Sequence, residues 1–131
     1  MWIFTSKAFL SVVVPYQRDV PVGLKGIDIL AVRARRKQDL FAFFGKKIAI
    51  HESPDRDYRW RVFIGRDALA NMMYDAIHAI KYNNFKDSIA EKDTERKHAY
   101  LDVWCAMNEF QNRSTPRERH KWVDPKHFED L

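Results

Sequence analysis

The feature that most constrains the fold is an abrupt change of hydrophobic period between residues 58 and 80. Up to Ile64 the apolar residues alternate with largely basic ones, which is typical of a strand with one wet face. From Leu69 to Ile80 they recur three and four positions apart, as in an amphipathic helix. The apolar residues of the two segments are Tyr58, Trp60, Val62, Ile64, Leu69, Met72, Met73, Ala76, Ile77 and Ile80. Gly65 lies between the segments and suits a helix N-cap. A strand that leads directly into such a helix predicts a two-layer domain.

The rest of the chain extends this unit to the order β-β-α-β-β-α-α. Alternating patterns predict four strands, at residues 2–16, 27–35, 47–52 and 58–64, the first of them bent near Lys7. Helical spacing predicts three helices, at residues 36–44, 66–80 and 94–111. Gly45 suits the end of the first helix, where φ is positive. We therefore expect an α+β fold, an antiparallel four-stranded sheet with the helices packed on one face.

The length and composition predict one domain, residues 1–111, and a C-terminal extension, residues 112–131. Nine Phe, five Tyr and four Trp argue against disorder of the whole chain. The extension is mostly charged, but Trp122 and Phe128 interrupt it and resemble the anchor residues of a protein interface. We expect these aromatic side chains to order the extension by docking it onto the domain or onto another chain.

The helix at residues 94–111 carries its own apolar stripe. Its members are Tyr100, Val103, Trp104, Met107 and Phe110. Their spacing predicts a buried helix face, and either Asp93 or Thr94 suits the cap. Cys105 is the single cysteine, so no intramolecular disulfide and no Cys-x-x-Cys metal site can form. We expect it to be a buried free thiol.

Targeting features are not evident in the sequence. The longest apolar run is about five residues, whereas a membrane span needs about 20. The first residues lack the basic and apolar regions of a signal peptide. We therefore expect a cytoplasmic protein without a membrane partner, in a reducing compartment.

The net charge of +5 is unevenly distributed along the chain. Residues 17–66 hold twelve Lys and Arg against six Asp and Glu, a net charge of +6, whereas residues 67–111 hold five against eight, a net charge of −3. A segregated charge of this kind steers a polyanion or an acidic protein to one side of a molecule. An ordinary solvated surface is the alternative.

Arginines recur at alternate positions on two predicted strands. Arg33 and Arg35 share one side of the second strand, and Arg59 and Arg61 share one side of the fourth. If the two strands belong to one sheet, four guanidinium groups lie on its open face, where they suit phosphate or carboxylate. Arg36 and Lys37 extend the basic run. These six residues are the candidate contacts to nucleic acid or an acidic partner, and the alternative is a solvated face paired with Asp and Glu.

Catalytic and cofactor motifs are not evident in the sequence. The histidines His51, His78, His98, His120 and His127 have no His-x-x-x-His spacing, and Glu95, His98 and Asp102 share a helix face that is more often solvated than metal-bound. We therefore predict no catalytic residue, no metal and no cofactor. The exception to weigh is a small metal-independent ribonuclease, which needs only a histidine and a cation near a phosphate and could use His51 or His98.

Four short stretches rich in aromatic residues carry a resemblance. They are Trp2-Ile3-Phe4-Thr5, Asp57-Tyr58-Arg59-Trp60-Arg61, Tyr82-Asn83-Asn84-Phe85-Lys86 and Ala99-Tyr100-Leu101-Asp102-Val103-Trp104. Over about residues 1–111 the chain resembles a family of short, functionally uncharacterised proteins from bacteria and their phages. The resemblance implies a stand-alone small domain associated with mobile DNA, and it supplies no catalytic residues.

Three hypotheses follow, and the first is favoured. It is a non-enzymatic binding protein that engages nucleic acid or a nucleoprotein complex through the basic face of the sheet. The second is a protein–protein interaction module, either a homodimer or a phage-type inhibitor of a host complex such as an anti-CRISPR, with Trp122 and Phe128 at its interface. The third is the ribonuclease.

Overall fold

The structure, a computed structural model, describes residues 1–114, so the expected anchors Trp122 and Phe128 lie outside the described residues. The described residues form five strands and three α-helices, joined by short 3₁₀ segments. The strands are Trp2–Phe4 (β1), Phe9–Val13 (β2), Ile29–Ala34 (β3), His51–Glu52 (β4) and Trp60–Gly65 (β5). The helices are Lys37–Phe44 (α1), Arg66–His78 (α2) and Thr94–Ser114 (α3).

The strands form one antiparallel sheet in the order β1-β2-β3-β5-β4. The α+β prediction is therefore confirmed, with five strands where the sequence predicted four. The extra strand arises because the predicted bend near Lys7 is a full hairpin turn. The hydroxyl oxygen of Thr5 accepts hydrogen bonds from the backbone N–H groups of Lys7 and Ala8, at 3.3 and 2.9 Å, and this turn separates β1 from β2.

The first face of the sheet packs against α1 and α2. Val12, Val32 and Val62 are opposite one another on the three central strands, so their side chains share this face. Leu40 of α1 and Leu69 of α2 belong to the same buried cluster. As predicted, Gly65 is the N-cap of α2, and Gly45 ends α1 with a φ of 85°.

The second face of the sheet is also covered. Ser11 and Ala31 point to this side, and both are 1% exposed. The connection between β2 and β3, residues 14–28, lies against them and buries Val20. Ser11 and Val12 are consecutive on β2 and therefore point to opposite faces, and both are buried, so this strand is covered on both sides.

The described chain divides into two compact units, with the division after Ile80. The first unit, residues 1–80, contains the whole sheet, α1 and α2. It holds thirteen Lys and Arg against eight Asp and Glu, a net charge of +5. Residues 81–114 hold six of each and are neutral. The net positive charge of the described residues is therefore the net charge of the sheet-containing unit.

The second unit is built around α3. Asp93 caps this helix, because its Oδ1 accepts a hydrogen bond from the backbone N–H of Arg96 at 3.2 Å. Arg96 is buried, with 7% of the residue exposed. Its guanidinium donates hydrogen bonds to the Asp93 carboxylate at 2.9 Å and to the Tyr100 hydroxyl at 3.1 Å. The ring of Tyr100 stacks on that of Phe85. These contacts fix the first turns of α3.

The expected buried stripe of α3 is wrong. Val103, Met107 and Phe110 are exposed, and Tyr100 and Trp104 are half-buried. The exposed fraction is 57% for Met107 and 61% for Phe110. Cys105, expected to be a buried thiol, is exposed as well. The spacing correctly predicted a helix with an apolar side, but spacing alone does not show whether another part of the protein packs against that side.

Among residues 1–114, no helix has both the length and the apolar composition that a membrane crossing requires.

We expect Leu40→Ala to lower the free energy of unfolding by about 3 kcal/mol, because Leu40 is fully buried and the substitution leaves a cavity. Ile77→Ala is the control, since this side chain on α2 is 60% exposed and should cost less than about 1 kcal/mol. Urea unfolding followed by circular dichroism measures both. Equal losses in the two variants would contradict this core assignment.

Candidate functional site

A row of five residues crosses the second face of the sheet. Register pairs join Trp2 to Ser11, Ser11 to Arg33, Arg33 to Arg61, and Arg61 to His51. Residues directly opposite each other on antiparallel strands have side chains on the same face, a few ångströms apart. The two central strands therefore hold Arg33 and Arg61 side by side.

Arg33 is half-buried and has few hydrogen-bond partners. Its Nη2 donates to the hydroxyl oxygen of Ser11 at 2.8 Å, and its guanidinium carbon lies 4.6 Å from the centre of the Tyr58 ring. Its Nε is buried and has no hydrogen-bond partner among residues 1–114. Leaving such a donor unsatisfied costs about 1–3 kcal/mol.

Arg61 is the more deeply buried of the pair, with 7% of its surface exposed. Its Nη2 donates to the backbone oxygen of Tyr58 at 3.1 Å, while its Nε, like that of Arg33, finds no partner in the described part of the chain. The pKa of Arg61 is lowered, first by burial and then by the positive charge of Arg56 and of Arg33, against which Asp19 acts in part. The surroundings of Arg61 thus disfavour its charge.

A cavity of about 170 Å³ lies between the sheet and the connection at residues 14–28. We name it the arginine cavity. Its lining consists of Val13, Val14, Pro15, Tyr16, Asp19, Ala31, Arg33, Arg56, Asp57, Tyr58 and Arg61. Arg56 Nη2 and Asp19 Oδ1 form an ion pair at 2.9 Å that joins the turn before β5 to the connection. Three arginines therefore meet in one cavity, and the ion pair of Arg56 with Asp19 links two loops that flank it.

The other two predicted arginines lie beyond the strand ends and are exposed. Arg35 follows β3 and pairs with Asp57 at 2.9 Å, and this hydrogen bond is the main cause of its raised pKa. Arg59 precedes β5 and pairs with Glu52 at 2.6 Å. The prediction of four arginines open to solvent on one face is therefore wrong: two are exposed and each is paired with a carboxylate, and two lie under a covered face.

Arg36 and Lys37, the remaining predicted basic residues, are exposed at the start of α1. The Lys37 Nζ lies 5.2 Å from the ring centre of Trp60 and 5.6 Å from that of Phe41. The Arg59 guanidinium carbon lies 5.4 Å from the ring centre of Trp60. The end of β3 and the start of β5 thus present basic groups around one half-buried indole.

The candidate catalytic histidines occupy different surroundings. His51 is exposed on β4, opposite Arg61 in the sheet register, and its ring packs edge-to-face against that of Phe63 at 5.1 Å. His98 is exposed on α3, in the second unit. Throughout residues 1–114, no cluster of three or more His, Cys, Asp or Glu could hold a metal ion. The ribonuclease stays a prediction that rests on His51 beside an arginine.

Sequence reasoning missed the roles of four residues at this site: Asp19, Arg56 and Tyr58, which line the arginine cavity, and Ser11, which accepts a hydrogen bond from Arg33. Ser11 had a usable signal, because it is a polar residue inside the apolar run Leu10–Val14. A polar side chain in such a run needs a buried partner, and Arg33 supplies it. Asp19 and Arg56 had no signal, since their pairing depends on how two loops meet.

Comparison with known proteins gives no match. No protein-family model, no curated protein and no solved structure matches this chain. The resemblance to the phage and bacterial family therefore stays a prediction, and function has to be argued from geometry.

We expect Arg61→Met to raise the free energy of unfolding by about 1 kcal/mol in chloride buffer. The substitution keeps the apolar stem and removes a buried charge that lies near two other arginines. Arg66→Met is the control, because Arg66 is exposed, pairs with Asp28, and should change stability little. Urea unfolding measures both variants. If Arg61→Met lost 2 kcal/mol or more, the guanidinium would be a structural group and the cavity would lose its functional interpretation.

Proposed function

We propose that this chain is a non-enzymatic binding protein that engages nucleic acid, alone or in a nucleoprotein complex. The contacts come from a surface that we name the basic end, which consists of Arg35, Arg36, Lys37 and Arg59. The observation that carries the proposal is the register pair of Ala34 with Trp60. It brings the chain that leaves β3 and the chain that enters β5 to the same end of adjacent strands, so that the four basic residues converge.

The ion pairs of Arg35 and Arg59 at the basic end leave these two guanidinium groups accessible to phosphate. The side chains of Arg35 and Asp57 are 52% and 77% exposed, and those of Arg59 and Glu52 are 55% and 41% exposed. Such exposed pairs contribute roughly 0–1 kcal/mol, so a phosphate can replace the carboxylate at little cost. A guanidinium also binds phosphate in bidentate geometry, which fixes the orientation of the bound group.

The basic end also contains an aromatic platform. Lys37 and Arg59 both approach the face of Trp60, and the indole is half-buried rather than enclosed. Basic side chains next to an aromatic ring are the combination with which single-stranded nucleic acid is bound without sequence preference. The net charge of +5 on the same unit supports association with a polyanion.

We expect the full chain to bind generic single-stranded DNA and RNA in 50 mM salt and to lose affinity steeply as salt is added. Arg36→Gln with Lys37→Gln should reduce the slope of log affinity against log salt by roughly 1–2, because up to two phosphate contacts disappear. Lys81→Gln with Lys92→Gln removes the same charge from the second unit and should leave binding nearly unchanged. Fluorescence anisotropy of a labelled 12-mer measures all three proteins.

Two results would contradict the proposal. One is an absence of binding at low salt to either nucleic acid. The other is an equal loss in the two double variants, since this would mean that only the overall charge matters and not the basic end.

The exposed apolar residues of α3 favour a second candidate, a homodimer that associates through this helix. Val103 and Met107 are 38% and 57% exposed. With Tyr100 and Phe110 they follow the alternating three- and four-residue spacing of a seam between paired helices. A second copy of α3 presents the same spacing, so it is the partner that this stripe matches.

For this candidate we expect light scattering of the full chain to give the mass of a dimer and that of Met107→Glu to give the monomer mass of 15.6 kDa. His98→Glu introduces the same charge away from the seam positions and should stay dimeric. A wild-type protein that is monomeric at 100 μM would contradict the homodimer hypothesis.

A further inference from the structure

The arginine cavity has room for a small ion. Its volume of about 170 Å³ is roughly ten times the ~15 Å³ that one water molecule requires, so an ion of five heavy atoms fits. The lining is polar on the side of the sheet, where Arg33 and Arg61 lie, and the connection at residues 14–28 contributes Asp19 and Tyr16. An entering ion therefore meets charged groups from two directions.

The positive charge of the cavity is not neutralised within the described residues. Three arginines line it, and the carboxylate of Asp19 offsets one of their charges through Arg56. The second lining carboxylate, Asp57, is paired with Arg35 outside the cavity. Two positive charges remain, on Arg33 and Arg61. A phosphate monoester carries a charge of about −1.5 to −2 at pH 7, which matches this excess.

The hydrogen-bonding capacity of the two arginines is also incomplete. Each guanidinium has five N–H donors. The structure shows Arg33 donating to Ser11, Arg61 donating to Tyr58, and both Nε atoms buried without a partner in residues 1–114. Arg61 is more than nine-tenths buried, so water does not readily supply what is missing. A small turn of the two planar groups toward an oxyanion would satisfy them both.

From this geometry we propose that the arginine cavity is a binding site for one phosphate group, held between Arg33 and Arg61. Arg33 and Arg61 bind the phosphate oxygens in bidentate fashion, with Ser11 and the Tyr58 ring keeping Arg33 in place. The site is separate from the basic end and does not depend on the nucleic-acid proposal. Its ligand is either free phosphate or the terminal phosphate of a larger molecule.

Asp19 has a distinct role in this site. Its carboxylate, 18% exposed, pairs with Arg56 and contributes a positive shift to the pKa of Arg61. It is therefore the internal anion that competes with phosphate for the same positive charge. Neutralising it should strengthen phosphate binding, which is the opposite of what the loss of a structural residue would do.

The test is isothermal titration calorimetry of the full chain with sodium phosphate at pH 7.5, with sodium chloride keeping the ionic strength constant. We expect saturable binding of one phosphate per chain. Arg33→Met and Arg61→Met should each weaken it by about tenfold or more, since each removes a charge-assisted contact. Arg66→Met, which removes an exposed charge outside the cavity, should change it by less than about twofold, and Asp19→Asn should bind phosphate more tightly than wild type.

The absence of saturable phosphate binding in the wild-type protein would overturn the proposal. So would binding that survives in the Arg33→Met, Arg61→Met double variant, or binding that is lost in a folded Asp19→Asn protein. Circular dichroism of every variant establishes that the fold is intact, and Asp19→Asn keeps the test decisive if an arginine variant does not fold.

Oligonucleotides distinguish the source of the phosphate and separate this site from the basic end. Tighter binding of a 5′-phosphorylated 12-mer than of the 5′-hydroxyl 12-mer, abolished by Arg61→Met, assigns the site to a nucleic-acid terminus. Equal binding of the two, with inorganic phosphate still bound, assigns it to the free ion. The 5′-hydroxyl 12-mer alone reports on the basic end, so the failure of either proposal leaves the other measurable.

Discussion

The pairing of β3 with β5 is the constraint on which the rest of this structure depends. Six register pairs, from Ile29 with Gly65 to Ala34 with Trp60, join these two strands in the middle of the sheet. Because side chains alternate between faces, the register that buries Val32 against Val62 must also place Arg33 beside Arg61 on the other side. A slip of β5 by one residue would turn Arg61 toward the apolar core and Val62 away from it. The hydrophobic core and the arginine pair are therefore set by the same register.

That arrangement has an electrostatic cost. Two like charges on adjacent strands repel each other, and burial removes part of the water that would screen them. Ser11, the Tyr58 ring and Asp19 recover some of this cost, yet both Nε donors stay unsatisfied within the described residues. Replacing one of the two arginines by a neutral residue would remove this repulsion. Retaining a destabilising pair of charges is typical of a binding site, where part of the stability is lost in favour of function. This is why the pair carries the phosphate proposal, whereas the exposed and paired Arg35 and Arg59 do not.

The sequence predicted what depends on local pattern and missed what depends on distant segments. Period two in β5 and period 3.6 in α2 were enough for the strand, the helix and the cap at Gly65. The same alternation placed Arg33 and Arg61 on one face. Whether that face is open was beyond the pattern, because the cover consists of residues 14–28, a connection with only short 3₁₀ turns. In α3 the opposite error occurs: the helical spacing of the apolar residues predicted a buried face, whereas Val103, Met107 and Phe110 are exposed.

Tyr58 connects the buried and the exposed basic groups. The residue is 6% exposed, and the guanidinium carbons of Arg33 and Arg35 lie 4.6 and 4.4 Å from the centre of its ring. Arg33 belongs to the arginine cavity and Arg35 to the basic end, so one aromatic ring contacts a member of each. An anion bound by Arg33 would alter the position of a ring on which Arg35 also rests. Because the interior around Tyr58 is closely packed, this ring is the contact through which a shift of Arg33 would reach Arg35, while each surface keeps its own set of binding groups.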